Sequence, residues 1–62
     1  MKNRLKALRE AHEMTQEKLC EMTGLSRATI SKIENDDEAI INTKTIVKIA
    51  QAFAVPPSEI FF

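Results

Sequence analysis

The sequence predicts an all-α fold, a compact bundle of five helices, and three observations predict it. One local grammar recurs four times: an apolar residue, a cap or turn residue, then an apolar residue five positions after the first. The sets are Met14-Thr15 with Leu19, Leu25-Ser26 with Ile30, Ile41-Asn42 with Ile46, and Val55-Pro56 with Ile60. Each fits a hydrophobic staple around a helix N-cap and so marks a helix start. Between Thr43 and Phe53, Ile46, Ile49, Ala50 and Phe53 fall at i, i+3, i+4 and i+7, the spacing of one helical face. Ahead of the first staple, Leu5 and Leu8 sit among lysines and arginines in an amphipathic stretch that supplies the remaining helix.

The first helix runs roughly from Asn3 to Glu13 and turns Leu5, Leu8 and either Ala11 or His12 to the core. His12 is the only histidine, and with no second ligand or nucleophile near it in sequence it reads as a surface or helix-end residue. The stretch from Gln16 to Asn35, QEKLCEMTGLSRATISKIEN, reads as two short helices held at a fixed angle by a turn at Gly24. Glycine suits that corner because the position just past a helix end commonly needs positive φ. Leu19 and the small Cys20 lie toward the crossing, where a bulky side chain would push the axes apart. Cys20 is read as interhelical packing rather than a redox sensor. On the second of these helices Ile30 and Ile33 face inward, while Arg27, Ala28, Ser31, Lys32 and Asn35 form a polar outer side free of acid.

Asp36-Asp37-Glu38 lacks the alternating oxygen ligands and central glycine of a calcium loop and reads as a solvated connector. A linker carrying Ile40 and Ile41 leads to the core helix Thr43–Phe53, whose stripe Val47 broadens. Pro57 then opens a last short helix, at a position where its missing N–H is harmless.

A chain of 62 residues is read as one domain, and a domain so small buries only about 60% of the surface its unfolded chain exposes. One cysteine allows no intrachain disulfide, and no metal site or cofactor motif is present, so extra stability is expected from a partner. The free thiol fits the cytoplasm, and neither a signal-peptide core nor a membrane-spanning run is seen. Nine basic and nine acidic residues cancel, but unevenly. Lys2, Arg4, Lys6 and Arg9 crowd the start, whereas the acidic run follows the third helix. One histidine, one cysteine and dispersed acids make no catalytic constellation, so the chain is not read as an enzyme. Single-strand readers stack bases on aromatics, yet the three phenylalanines all lie in the last ten residues, with no tyrosine or tryptophan.

In the opening MTQEKL, the turn GLS, the run SRATISKIEN, the later IVKIAQAF and the closing PSEIFF, the sequence resembles the Cro/repressor-type helix-turn-helix family of DNA-binding regulators. The resemblance covers nearly the whole chain and places the helix-turn-helix at about 15–35. It implies the lambda-repressor-like DNA-binding fold and a sequence-specific regulator of transcription that represses by occupying an operator. The same fold also serves antitoxins and protein-binding adaptors, which neutral charge and an acidic connector would suit. The resemblance further implies a pair between Arg9 and Glu34, against the plainer reading of two unrelated solvated charges.

Double-stranded DNA is thus the expected partner, and the expected site follows from helical geometry. Arg27 and Ala28 occupy the first turn of the recognition helix and Lys32 lies four residues beyond Ala28 on the same face, so these three are read as base contacts. Arginine offers guanine a bidentate pair, lysine reaches the same acceptors as a point charge, and alanine touches a thymine methyl. The plainer reading has Arg27 and Lys32 only neutralising phosphates. Ser26, Thr29, Ser31 and Asn35 are placed nearer the DNA backbone, as are Thr43 and Lys44 at the start of the fourth helix. By resemblance Gln16 contacts phosphate. A homodimer is expected through Ile60, Phe61 and Phe62, three large apolar residues that one short helix cannot readily hide.

Overall fold

The computed structural model describes all residues, 1–62, and each helix begins and ends for a local reason. Helix α1 spans Leu5–Ala11. It is shorter than the sequence predicts, because Asn3 Oδ1 accepts the Leu5 N–H at 3.0 Å and fixes the start there. At the other end Glu13 enters the left-handed region at φ 54°. Met14 N–H then closes back onto Arg9 C=O at 3.0 Å, the long bond of a Schellman ending.

Helix α2 spans Gln16–Thr23, α3 spans Arg27–Asn35 and α4 spans Thr43–Phe53. Thr15, Ser26 and Asn42 cap them, each side chain accepting the backbone N–H three residues on. Three of the four staples thus open α-helices as the sequence predicts. Gly24, at φ 73°, ends α2 as expected. The end of α4 instead places Ala54 at φ 55°, a left-handed residue without glycine's freedom.

The fifth helix is corrected. The chain has four α-helices, and the fourth staple opens only a 3₁₀ turn, Pro57–Glu59. Helix does not continue because residues 60–62 leave it to pair with the first residues of the chain. Arg4 N–H donates to Ile60 C=O and Phe62 N–H to Lys2 C=O, both at 2.9 Å, around an isolated antiparallel bridge between Asn3 and Phe61.

That pairing also corrects the proposed apolar surface. Ile60 is fully buried and Phe61 nearly so, and both belong to the core with Leu5, Leu19, Ile30, Ile33, Ile49, Ala50 and Phe53. Of the three terminal apolar residues only Phe62, beyond the bridge, stays open to solvent, 67% exposed. Leu8, Cys20 and Ile46 pack against this core from its edge. Val47, expected to broaden the stripe, is instead exposed, and so is Ile40 in the connector. His12 lies at the end of α1 with its ring edge-on to Phe53, centroids 5.3 Å apart.

Candidate nucleic-acid interface

Helix α3 has an inner side anchored by Ile30 and Ile33 and an outer side that meets solvent. Arg27, Ala28, Lys32 and Asn35 are exposed on it, while Thr29 and Ser31 are half-buried at its flanks. The three residues read as base contacts are therefore all open to solvent. Ser26 is engaged as the cap: its Oγ accepts the Thr29 N–H at 3.1 Å and lies 2.8 Å from the Thr29 hydroxyl. Asn35 Nδ2 donates back to Ser31 C=O at 2.8 Å and to Ser31 Oγ at 3.3 Å, which ties both side chains to the end of the helix.

Below this face sits a buried ion pair. Arg9 Nε donates to Glu34 Oε2 at 2.6 Å and Nη2 to Oε1 at 3.3 Å, with the two side chains 12% and 1% exposed. Arg9 Nη1 also donates to Met14 C=O at 2.7 Å, so one guanidinium joins α1, the turn before α2, and α3. The hydrogen bond to Glu34 holds the Arg9 pKa above the ordinary arginine value against the opposing effect of burial, and the charges of Glu34 and Glu10 add to it. The pair implied by resemblance is present, and the plainer reading of two solvated charges is corrected.

The sequence reading missed what else this pair holds. Gln16 Nε2 donates to Glu34 Oε1 at 2.9 Å, and Gln16 Oε1 accepts from Arg27 Nε at 3.4 Å. Asn3 Nδ2 donates to Ile33 C=O at 2.9 Å and so fastens the chain start beneath α3. In sequence Gln16 and Arg27 read as separate contacts, since all of α2 and the Gly24 corner lie between them, and their shared position at helix starts is the one signal of their meeting.

Thr43 and Lys44 are exposed in the first turn of α4. An open groove of about 180 Å³ separates α3 from this region, lined by Thr29, Lys32, Asn42 and Thr45 with Ile33 and the connector residues 39–41. The outer side of α3 and the N-terminus of α4 are thus neighbours across the connector. The acidic connector itself forms a tight turn in which Asp36 Oδ1 accepts the Glu38 N–H at 2.9 Å. No helix is long and apolar enough to cross a membrane.

The sequence is similar to those of known proteins. The pattern of the family described as "Helix-turn-helix" matches residues 5–60. The chain is similar to the HTH-type transcriptional repressor RghR of Bacillus subtilis, 40% identical over 52 residues, which are 84% of this chain and 38% of that protein. It is also similar to an uncharacterized HTH-type transcriptional regulator, MJ0272, of Methanocaldococcus jannaschii, 43% identical over 63 residues, covering 98% of this chain and 91% of the relative. A third relative, the uncharacterized HTH-type transcriptional regulator YgzD of Bacillus subtilis, is 36% identical over 62 residues, with 100% and 92% covered. The chain thus spans little more than a third of one relative and nearly all of two others. With the capped helices, the Gly24 corner and the matched stretch in agreement, the chain belongs to the Cro/repressor-type helix-turn-helix family.

Proposed function

We propose that this chain binds double-stranded DNA sequence-specifically in the cytoplasm and regulates transcription, acting as a repressor by occupying an operator. The observation that carries the proposal is the outer face of α3, where Arg27, Ala28 and Lys32 stand exposed on a helix whose inner side is locked by the Arg9–Glu34 pair. A rigid helix presenting a short polar face free of acid suits the major groove, and its first turn carries the residue best able to read guanine. Gln16, Thr43 and Lys44 stand at helix N-termini that flank this face, where N–H groups and one cation meet phosphates. A two-fold homodimer fits the molecule's size. Two bodies about 24 Å across, set side by side, bring their recognition helices near one DNA turn, roughly 34 Å, apart.

The balanced charge and the connector acids Asp36, Asp37 and Glu38 support a second reading, an antitoxin or adaptor whose first partner is a protein. One experiment separates the two. Selection from a random duplex library, followed by gel retardation across ionic strengths, is expected to recover an enriched site whose binding weakens with salt. No retardation at low salt, with another protein co-purifying, would replace the DNA reading with the adaptor.

A further inference from the structure

Arg27 is held from two sides. Its Nε donates to Gln16 Oε1 at 3.4 Å, and its Nη1 lies 3.7 Å from Glu17 Oε1, with both of those charged side chains largely exposed. Gln16 is oriented from below, because the Glu34 carboxylate can accept only from its amide nitrogen. The amide oxygen therefore turns outward and engages Nε of Arg27. What remains for a bidentate contact is the fork of Nη1 and Nη2, and Nη1 is the nitrogen nearest Glu17.

We propose that Glu17 is a specificity-determining residue, whose carboxylate beside Arg27 repels phosphate from that guanidinium while leaving it open to the uncharged acceptor edge of a guanine. The inference rests on the duplex-DNA reading above. A phosphate and the O6/N7 edge of guanine both accept a pair of N–H groups from arginine, so hydrogen-bond geometry alone does not separate them. Charge does. A phosphate oxygen brought to the Nη1/Nη2 fork carries a formal negative charge toward Glu17, whereas O6 and N7 carry only the partial charges of neutral acceptors. Discrimination then comes from repulsion built in against the wrong ligand as well as attraction to the right one. It also accounts for an acid at the edge of an otherwise acid-free face, at the one place where it touches a base-reading residue.

The test compares Glu17→Gln with Glu21→Gln, which removes the same charge one turn later on α2, where the carboxylate faces Lys18 at 4.0 Å instead of Arg27. Dissociation constants are measured for the selected site and for a mixed-sequence duplex of equal length, at several salt concentrations. Glu17→Gln is expected to tighten the mixed duplex by up to about fivefold while moving the selected site less than about twofold, the range of an exposed ion pair. The specificity ratio falls accordingly, and Glu21→Gln leaves that ratio unchanged. Glu17 also complements the dipole of α2 from its first turn, so melting curves are recorded to establish that both variants stay folded at the assay temperature. Equal tightening of both duplexes by Glu17→Gln, or the same result from Glu21→Gln, overturns the role of Glu17 and leaves the DNA reading standing. A wild-type protein that retards neither duplex, or both equally, overturns sequence-specific reading and the role of Glu17 with it.

Discussion

Glu34 is the most buried charge in the chain, and its carboxylate is answered from two sides, by Arg9 and by Gln16. Removing one partner of such a pair leaves the other charge uncompensated, at a cost of about 3–5 kcal/mol. A domain of this size has a total stability of roughly 3–9 kcal/mol. Glu34→Ala is therefore expected to leave the chain largely unfolded at 37 °C by circular dichroism, whereas Glu34→Gln, which keeps shape and an acceptor, retains more of the transition. The raised pKa of Arg9 sets the sign of its pH linkage. Its contribution is complete below the unfolded arginine value and is lost only as pH climbs through the still higher folded one, beyond any ordinary buffer.

A second residue-scale prediction concerns the backbone. Glu13 and Ala54 hold φ of 54° and 55° without being glycine, a conformation that strains any residue with a Cβ. Glu13→Gly and Ala54→Gly each relieve that strain but loosen the unfolded chain, so each is expected to raise stability by about 0.5–1 kcal/mol. In a domain this short that is a rise in Tm of roughly 2–8 °C, read from a thermal melt. An unchanged or lowered Tm in both would mean that the two helix ends carry no relievable strain.

At the scale of the element, α3 is a platform whose cap, anchors and exposed face occupy different sides. Ser26 serves the cap, Ile30 and Ile33 the core, and Arg27, Ala28 and Lys32 the outside. Arg27→Ala is expected to lose about 1–3 kcal/mol on the selected site and to relax the choice at one base pair. Binding to a panel of single-base variants checks it, since a uniform loss with unchanged preference would return Arg27 to phosphate. Lys44→Ala, on the first turn of α4, is expected to weaken all duplexes alike and to reduce the salt slope by about one unit. A preference change at one base pair would contradict that placement. Gln16→Ala has a mixed expectation, because Gln16 touches both Glu34 and Arg27. Loss of base preference as well as affinity would mark it as a positioning residue for Arg27.

For the molecule as a whole, the pairing of residues 2–4 with 60–62 closes the bundle. It divides the three terminal apolar residues by role. Ile60→Ala is expected to cost about 2–5 kcal/mol as a core cavity. Phe62→Glu touches no buried position and is expected to leave the melt nearly unchanged while weakening any self-association. Sedimentation equilibrium with and without DNA checks this, and a dimer unaffected by Phe62→Glu would place the interface elsewhere. The Cα radius of gyration, 10.1 Å, is close to the roughly 11 Å expected for a chain of this length.

Local chemistry was enough for the helix starts. Thr15, Ser26 and Asn42 act through backbone groups three residues away, and Gly24 through its own φ, so short-range sequence determined them, as it did the inward stripe of Ile49, Ala50 and Phe53. The outer face of α3 was legible for the same reason, since 3.6-residue periodicity separates Arg27, Ala28 and Lys32 from Ile30 and Ile33. Long-range contacts were not legible. The junction of Asn3 with Ile33, the relay from Glu34 through Gln16 to Arg27, and the burial of Ile60 and Phe61 join residues 11 to 58 positions apart. Glu13 and Ala54 bear no mark of the left-handed backbone that they adopt, because the helix-ending bonds from Met14 N–H to Arg9 C=O and from Val55 N–H to Ala50 C=O hold it against their own preference. Sequence thus determined where α2, α3 and α4 begin and most of the side each turns inward. Only the tertiary structure decided what each polar group would meet, because a hydrogen bond depends on where the fold brings two distant atoms.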